Sequence, residues 1–138
     1  MQETQVKWQL LNLLDNKIMQ NMNTKEYTID ATGQTLGRIA TRVATILRGK
    51  DTPGFRTNIV ADVRVLITNA SKMKITGSKM KQKKYSRYSG YPGGLKQPTM
   101  TQVIEKKGYK QILETAIKGM MPANKLRPLI LKKLTISE

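Results

Sequence analysis

Residues 27–50 read YTIDATGQTLGRIATRVATILRGK, and this stretch decides the fold. In Tyr27-Thr28-Ile29-Asp30-Ala31, apolar and polar side chains alternate, which is the period of a strand. Gly33 breaks it. From Leu36 the period becomes helical. Leu36, Ile39, Ala40, Val43, Ala44 and Leu47 share one stripe, with Arg38, Arg42 and Lys50 off it. Gly49 follows the last turn, where a left-handed stop residue is expected. Residues 51–58, with Pro53 and Gly54, read as a loop. Val63-Arg64-Val65-Leu66-Ile67-Thr68 is a denser apolar run, suited to a strand covered on both faces. Strand, helix, strand in that order implies a right-handed crossover and parallel pairing. The expected class is α/β, a three-layer domain with a small, mostly parallel sheet between helices.

Working outward, Met73 and Ile75 alternate with Lys72, Lys74 and Thr76, which predicts a third, edge-type strand guarded by its lysines. A basic extended loop follows. Thr99-Met100-Thr101-Gln102 has the capping-box pattern, and Gly108 closes the short helix that it starts. Tyr109, Ile112, Leu113, Ala116 and Ile117 form the next apolar stripe. Lys110, Glu114 and Lys118 lie on its outer side at a spacing that allows pairing, and Gly119 stops it. A last helix is expected from Asn124 or Pro128, burying Leu126, Leu129, Ile130 and Leu134. Upstream, Val6, Leu10, Leu11, Leu14, Ile18 and Met22 recur at helical spacing, which fits a short amphipathic helix or a loosely ordered arm. The chain divides into an N-terminal extension, 1–26, and one domain, 27–138. No internal repeat is evident.

The 138 residues include 25 Lys+Arg against 9 Asp+Glu, a net charge of +16. This length suits a single core. The absence of Cys and His excludes disulfides, thiolate nucleophiles and the commonest general base and metal ligand. No apolar run approaches a bilayer span, and no secretory signal is seen, so a soluble intracellular protein is expected. Residues 72–133 alone carry +14. Such a field repels itself unless a polyanion neutralises it. Nucleic acid is the main candidate partner and an anionic membrane the lesser one. Residues 4–22 lack the positive charge that a membrane-surface helix needs.

The most informative segment is 72–96. Lys72, Lys74, Lys79, Lys81, Lys83, Lys84, Arg87 and Lys96 would neutralise phosphates. Tyr85, Tyr88 and Tyr91 are interleaved with them and would pack on sugars or unpaired bases, or over the sheet edge. Gly93 and Gly94 let the backbone approach a partner closely. A second patch, Lys118, Lys125, Arg127, Lys132 and Lys133, would hold another nucleic-acid segment. Arg38, Arg42, Arg48 and Lys50 would hold a third. A rival reading places a small phosphate-substrate-binding α/β enzyme at the Gly33–Arg38 turn. That turn matches neither common phosphate-loop motif. The simpler reading is that Gly33 makes the turn and Gly37 lets the helix sit close to the sheet.

Five stretches together resemble the universal large-subunit ribosomal protein thirteen family. They are Asp30-Ala31-x-Gly33-x-Thr35-Leu36-Gly37-Arg38, Ile46-Leu47-Arg48-Gly49-Lys50, the turns Asn69-Ala70 and Thr76-Gly77, Tyr85-x-x-Tyr88-Ser89-Gly90-Tyr91-Pro92-Gly93-Gly94-Leu95-Lys96, and Ala116-x-Lys118-Gly119-Met120-Met121-Pro122 followed by Leu131-Lys132-Lys133-Leu134. Asn58 stands in a loop where the family usually has histidine, and Arg127-Pro128 stands where it usually has Gly-Arg. The resemblance implies an α/β domain with a parallel sheet and a structural, non-catalytic role on large-subunit ribosomal RNA, entered early in assembly. It implies neighbouring large-subunit ribosomal proteins as further partners, in a cytoplasmic or an organellar ribosome. It implies no cofactor, metal, membrane or small-molecule substrate.

Overall fold

The computed structural model describes residues 24–138. The extension and its helical spacing fall almost wholly outside the described residues. Strand β1 covers Lys25–Asp30, beginning two residues before Tyr27. Helix α1, Leu36–Leu47, buries Ile39, Ala40, Val43, Ala44 and Leu47 of the expected stripe, leaves Leu36 half-buried and adds Ile46. Strand β2, Val63–Thr68, lies parallel to β1 with Ile29 opposite Ile67. The crossover read from residues 27–68 is therefore the frame of the fold.

The third strand is not the expected one. Met73 and Ile75 flank a single parallel bridge between Thr35 and Lys74. The strand that joins the sheet is β5, Leu134–Ile136, parallel to β2 with Val65 opposite Leu134. Leu134 thus leaves the last helix, which is only Arg127–Leu131, and Leu129 stays 50% exposed. Leu-Thr-Ile alternates with the strand period, and β2 offers it an unpaired edge. The strand order is β1-β2-β5.

That order also decides the layering. Right-handed crossovers that add strands in one direction deliver every helix to the same face. Val63, Val65, Ile67 and Ile136 point to that face and are buried. On the other face Glu26, Thr28, Arg64, Leu66 and Thr135 are exposed. The small parallel sheet with helices packed on it is the expected α/β arrangement, and among the described residues the buried side of β2 is that of Val63, Val65 and Ile67.

The remaining helices are α2, Lys79–Gln82, a single turn, and α3, Met100–Met120, which is broken at Gly108. The α4 helix is the Arg127–Leu131 segment already described. The capping box forms: Thr99 Oγ1 accepts from the Gln102 N–H at 3.5 Å, and Gln102 Oε1 accepts from the Thr99 N–H at 3.0 Å. Gly119 lies inside α3. The helix ends one residue after it, because Met121 precedes Pro122 and is driven to an extended conformation. Among the described residues no salt bridge joins Lys110, Glu114 and Lys118. The core joins Ile39, Val43 and Leu47 of α1 to Val65 and Ile67 of β2 and to Leu113 and Ile117 of α3.

The stretch expected as an extended basic loop carries its own structure. After α2, β3 (Arg87–Tyr88) and β4 (Leu95–Lys96) pair as a short antiparallel hairpin, with Tyr88 opposite Leu95.

Candidate nucleic-acid interface

The hairpin, α2 and the first turns of α3 stand away from α1 and the later turns of α3. Between them lies a groove of about 1700 Å³. Arg38, Lys74, Lys79, Lys83, Lys84, Arg87, Lys96, Lys106 and Lys107 line it. Among the described residues no Asp or Glu does. The floor includes Ile75, Met100, Val103, Ala116 and Met120, so the groove offers apolar surface beneath a cationic rim. These lysines are exposed, and a lysine stem can lie along apolar surface while its ammonium stays in water.

Lys106 and Lys107 were not among the candidates read from the sequence. The signal was there: two adjacent lysines directly before Gly108, at the end of a helix whose start was recognised. Their place in the groove depends on how α3 docks, which local sequence does not encode.

The aromatic residues separate into two kinds. Tyr85 lines the groove and is partly buried, and burial pushes its phenol pKa up. Lys83 Nζ lies 6.0 Å from the centre of the Tyr85 ring, within cation–π range. Tyr88 and Tyr91 are outside the groove and are 62% and 77% exposed. They stand exposed at the hairpin. Gly93 takes φ +74°, and a side chain at Gly94 would collide with Ser89. Lys72 and Lys81 are exposed and flank the groove without lining it.

The other two patches do not join this groove. Lys118, Lys125 and Lys132 are exposed, and Arg127 is half-buried. Lys133 is engaged within the fold, where its Nζ donates to the Ala61 carbonyl at 2.8 Å and to Asp62 Oδ1 at 3.2 Å. Of the third set, only Arg38 reaches the groove. Arg42 and Lys50 are exposed elsewhere. Arg48 stands 5.9 Å from the Phe55 ring centre, beside Arg56, where two smaller cavities of about 430 and about 250 Å³ open.

The Gly33–Arg38 turn forms part of the groove wall. Gly33 makes the turn at φ +68°, as expected. Gly37 does not serve close packing, because a Cβ there would meet nothing within 4 Å. Its bare backbone faces the groove. The turn is fixed from behind by Asp30, whose carboxylate accepts from the Thr32 hydroxyl at 2.7 Å, the Thr32 N–H at 3.0 Å and Asn69 Nδ2 at 3.1 Å. These bonds, the Thr32 hydroxyl first, hold the Asp30 pKa below its ordinary value. Among the described residues the groove lining contains no carboxylate or imidazole. Among the described residues no cluster of metal-ligating side chains is found, and no helix is long and apolar enough to cross a membrane.

Comparison with known proteins identifies the family. Residues 24–138 match the family described as Ribosomal protein L13. Among similar proteins is the large ribosomal subunit protein uL13 of Symbiobacterium thermophilum, 46% identical over 117 residues, covering 85% of this chain and 81% of that protein. The same-named protein of Koribacter versatilis is 52% identical over 102 residues, covering 74% and 71%. That of Thermus thermophilus is 44% identical over 108 residues, covering 78% and 76%. A family match over residues 24–138, and relatives 44–52% identical over most of both chains, show that the chain belongs to the ribosomal protein L13 family.

Proposed function

We propose that this protein is a structural constituent of the large ribosomal subunit, held there by large-subunit ribosomal RNA seated in the groove. The carrying observation is that, among the described residues, nine cationic side chains and no carboxylate line one concavity. Such a rim attracts phosphate from any sequence of RNA, and releases counterions when it binds. Arg38, Lys74, Lys79, Lys83, Lys84, Arg87, Lys96, Lys106 and Lys107 neutralise backbone phosphates. Tyr85 packs against sugar from inside the groove, and Tyr88 and Tyr91 stack on unpaired bases beside it. Lys72 and Lys81 extend the phosphate track. Lys118, Lys125, Arg127 and Lys132 hold a second RNA segment, and Arg42, Arg48 and Lys50 a third. The role is positional rather than catalytic, and it includes contacts with neighbouring ribosomal proteins during subunit assembly. The protein resides in the ribosome, cytoplasmic or organellar.

Filter binding to protein-free large-subunit ribosomal RNA across a salt series tests this reading. The expected result is tight binding at low salt that falls linearly on a log–log plot. Binding without salt dependence, or absence of the protein from large-subunit fractions of a sucrose gradient, overturns it.

A further inference from the structure

Residues 77–107 form a lobe with its own bonding. Met100 N–H donates to the Lys83 carbonyl and Tyr85 N–H to the Pro98 carbonyl, both at 2.9 Å. Thr101 Oγ1 donates to the Met80 carbonyl at 2.9 Å. Among the described residues, and outside the ladder of α3, every hydrogen bond of this stretch closes within it. Its most buried side chain, Met100, is 2% exposed yet stands apart from the main core. Immediately before the lobe, by contrast, Lys74 N–H is tied to the Gln34 carbonyl at 2.8 Å.

The chain enters and leaves the lobe through glycines at positive φ, a region that residues with side chains rarely adopt. Gly77 has φ +68°, and Gly108 has φ +73° with ψ 178°. The far side of the second crossing is pinned. Glu138 Oε1 accepts from the Lys110 N–H at 2.8 Å, capping the resumed helix. The groove lies between the two bodies so defined: Arg38, Gly37 and Met120 on the core wall, and Lys83, Lys84 and Lys107 on the lobe wall.

We propose that residues 77–107 turn as one rigid lobe about Gly77 and Gly108, and that the groove closes over RNA. The inference rests on the RNA reading above and adds its mechanism. Like charge on the two walls holds the free groove open, and a polyanion between them reverses the sign of that force.

The chain has no cysteine, so two can be introduced for site-specific spin labels. Thr41→Cys on α1 and Gln82→Cys on α2 are exposed and span the groove without lining it. Pulsed dipolar spectroscopy of the full chain should give a shorter, narrower distance distribution when protein-free large-subunit ribosomal RNA is added. The control pair Thr41→Cys and Asp51→Cys, both outside the lobe, should not change. Gly108→Ala should alter the free distribution and abolish the contraction. Gly77→Ala, whose Cβ would meet no atom within 4 Å, imposes backbone strain alone and should do the same. RNA that binds with an unchanged distance overturns the hinge and leaves the RNA reading standing. RNA that does not bind at all overturns both.

Discussion

The Lys133 ammonium donates to the Asp62 carboxylate at 3.2 Å, joining the residue before β5 to the residue before β2. The same ammonium donates to the Ala61 carbonyl, so it fastens the edge strand that completes the sheet. Both partners are partly exposed, which limits the strength of the pair. Lys133→Ala is expected to lower the unfolding free energy by about 1 kcal/mol in a urea titration, with the RNA salt slope unchanged. A changed slope would return Lys133 to the RNA-binding set.

Asp62 also sets an acid response. The hydrogen bond from Lys133 holds its pKa below the ordinary value, against a smaller opposing effect of burial, with Thr24 adding a second bond. A lowered folded pKa gives stability that is complete above the unfolded pKa and is lost as pH falls through the folded one. Stability should therefore decline below the ordinary value of 3.8. Asp62→Asn should reduce that decline. Asp30 has the same sign and is unaffected, so some acid sensitivity remains. Denaturant titrations of the parent and the variant at a series of acidic pH values measure the difference.

Lys83→Ala with Lys84→Ala removes two cations from one side of the groove. RNA affinity should fall, and the log-affinity against log-salt slope should shrink by about 0.7–0.9 for each lost phosphate contact. Lys106→Ala with Lys107→Ala should behave alike, since they line the same groove. An unchanged slope in both double variants would remove the groove from the interface.

Tyr88→Ala with Tyr91→Ala deletes two exposed rings and no charge. Affinity should drop by about 1–3 kcal/mol for each ring that stacks on a base, at constant salt slope and constant thermal stability. Tyr85→Ala, from a partly buried position, should lower thermal stability as well. Equal binding by the Tyr88/Tyr91 variant and the parent would show that these rings touch no base.

Asn69 lies in the left-handed region at φ 55° and donates to Asp30. Asn69→Val should destabilise the fold by about 1–2 kcal/mol or more, because a branched side chain resists that conformation. Asn69→Gly should lose only the hydrogen bond. Thermal denaturation that ranked Val above Gly would contradict the backbone assignment.

The β1–α1–β2 frame was legible because each part rests on a local period. Alternation marks Tyr27 to Asp30, a 3.6-residue stripe marks Leu36 to Leu47, and the capping box at Thr99 and break at Gly108 are read from a few neighbouring residues. The excess charge was legible as well, since it depends only on composition. Tertiary structure alone decided the rest. Three residues at Leu134–Ile136 carry too short a period to be told from a helix end until the free edge of β2 claims them. Which face of the sheet the described helices cover follows from strand order, which is a non-local property. The groove, too, was hidden: tertiary structure brings Lys106 and Lys107 into one lining with Arg38, and pairing of β5 with β2 sets Lys133 beside Ala61 and Asp62. Periods report which way a side chain faces along its own element, while pairing and docking depend on partners far away in the chain.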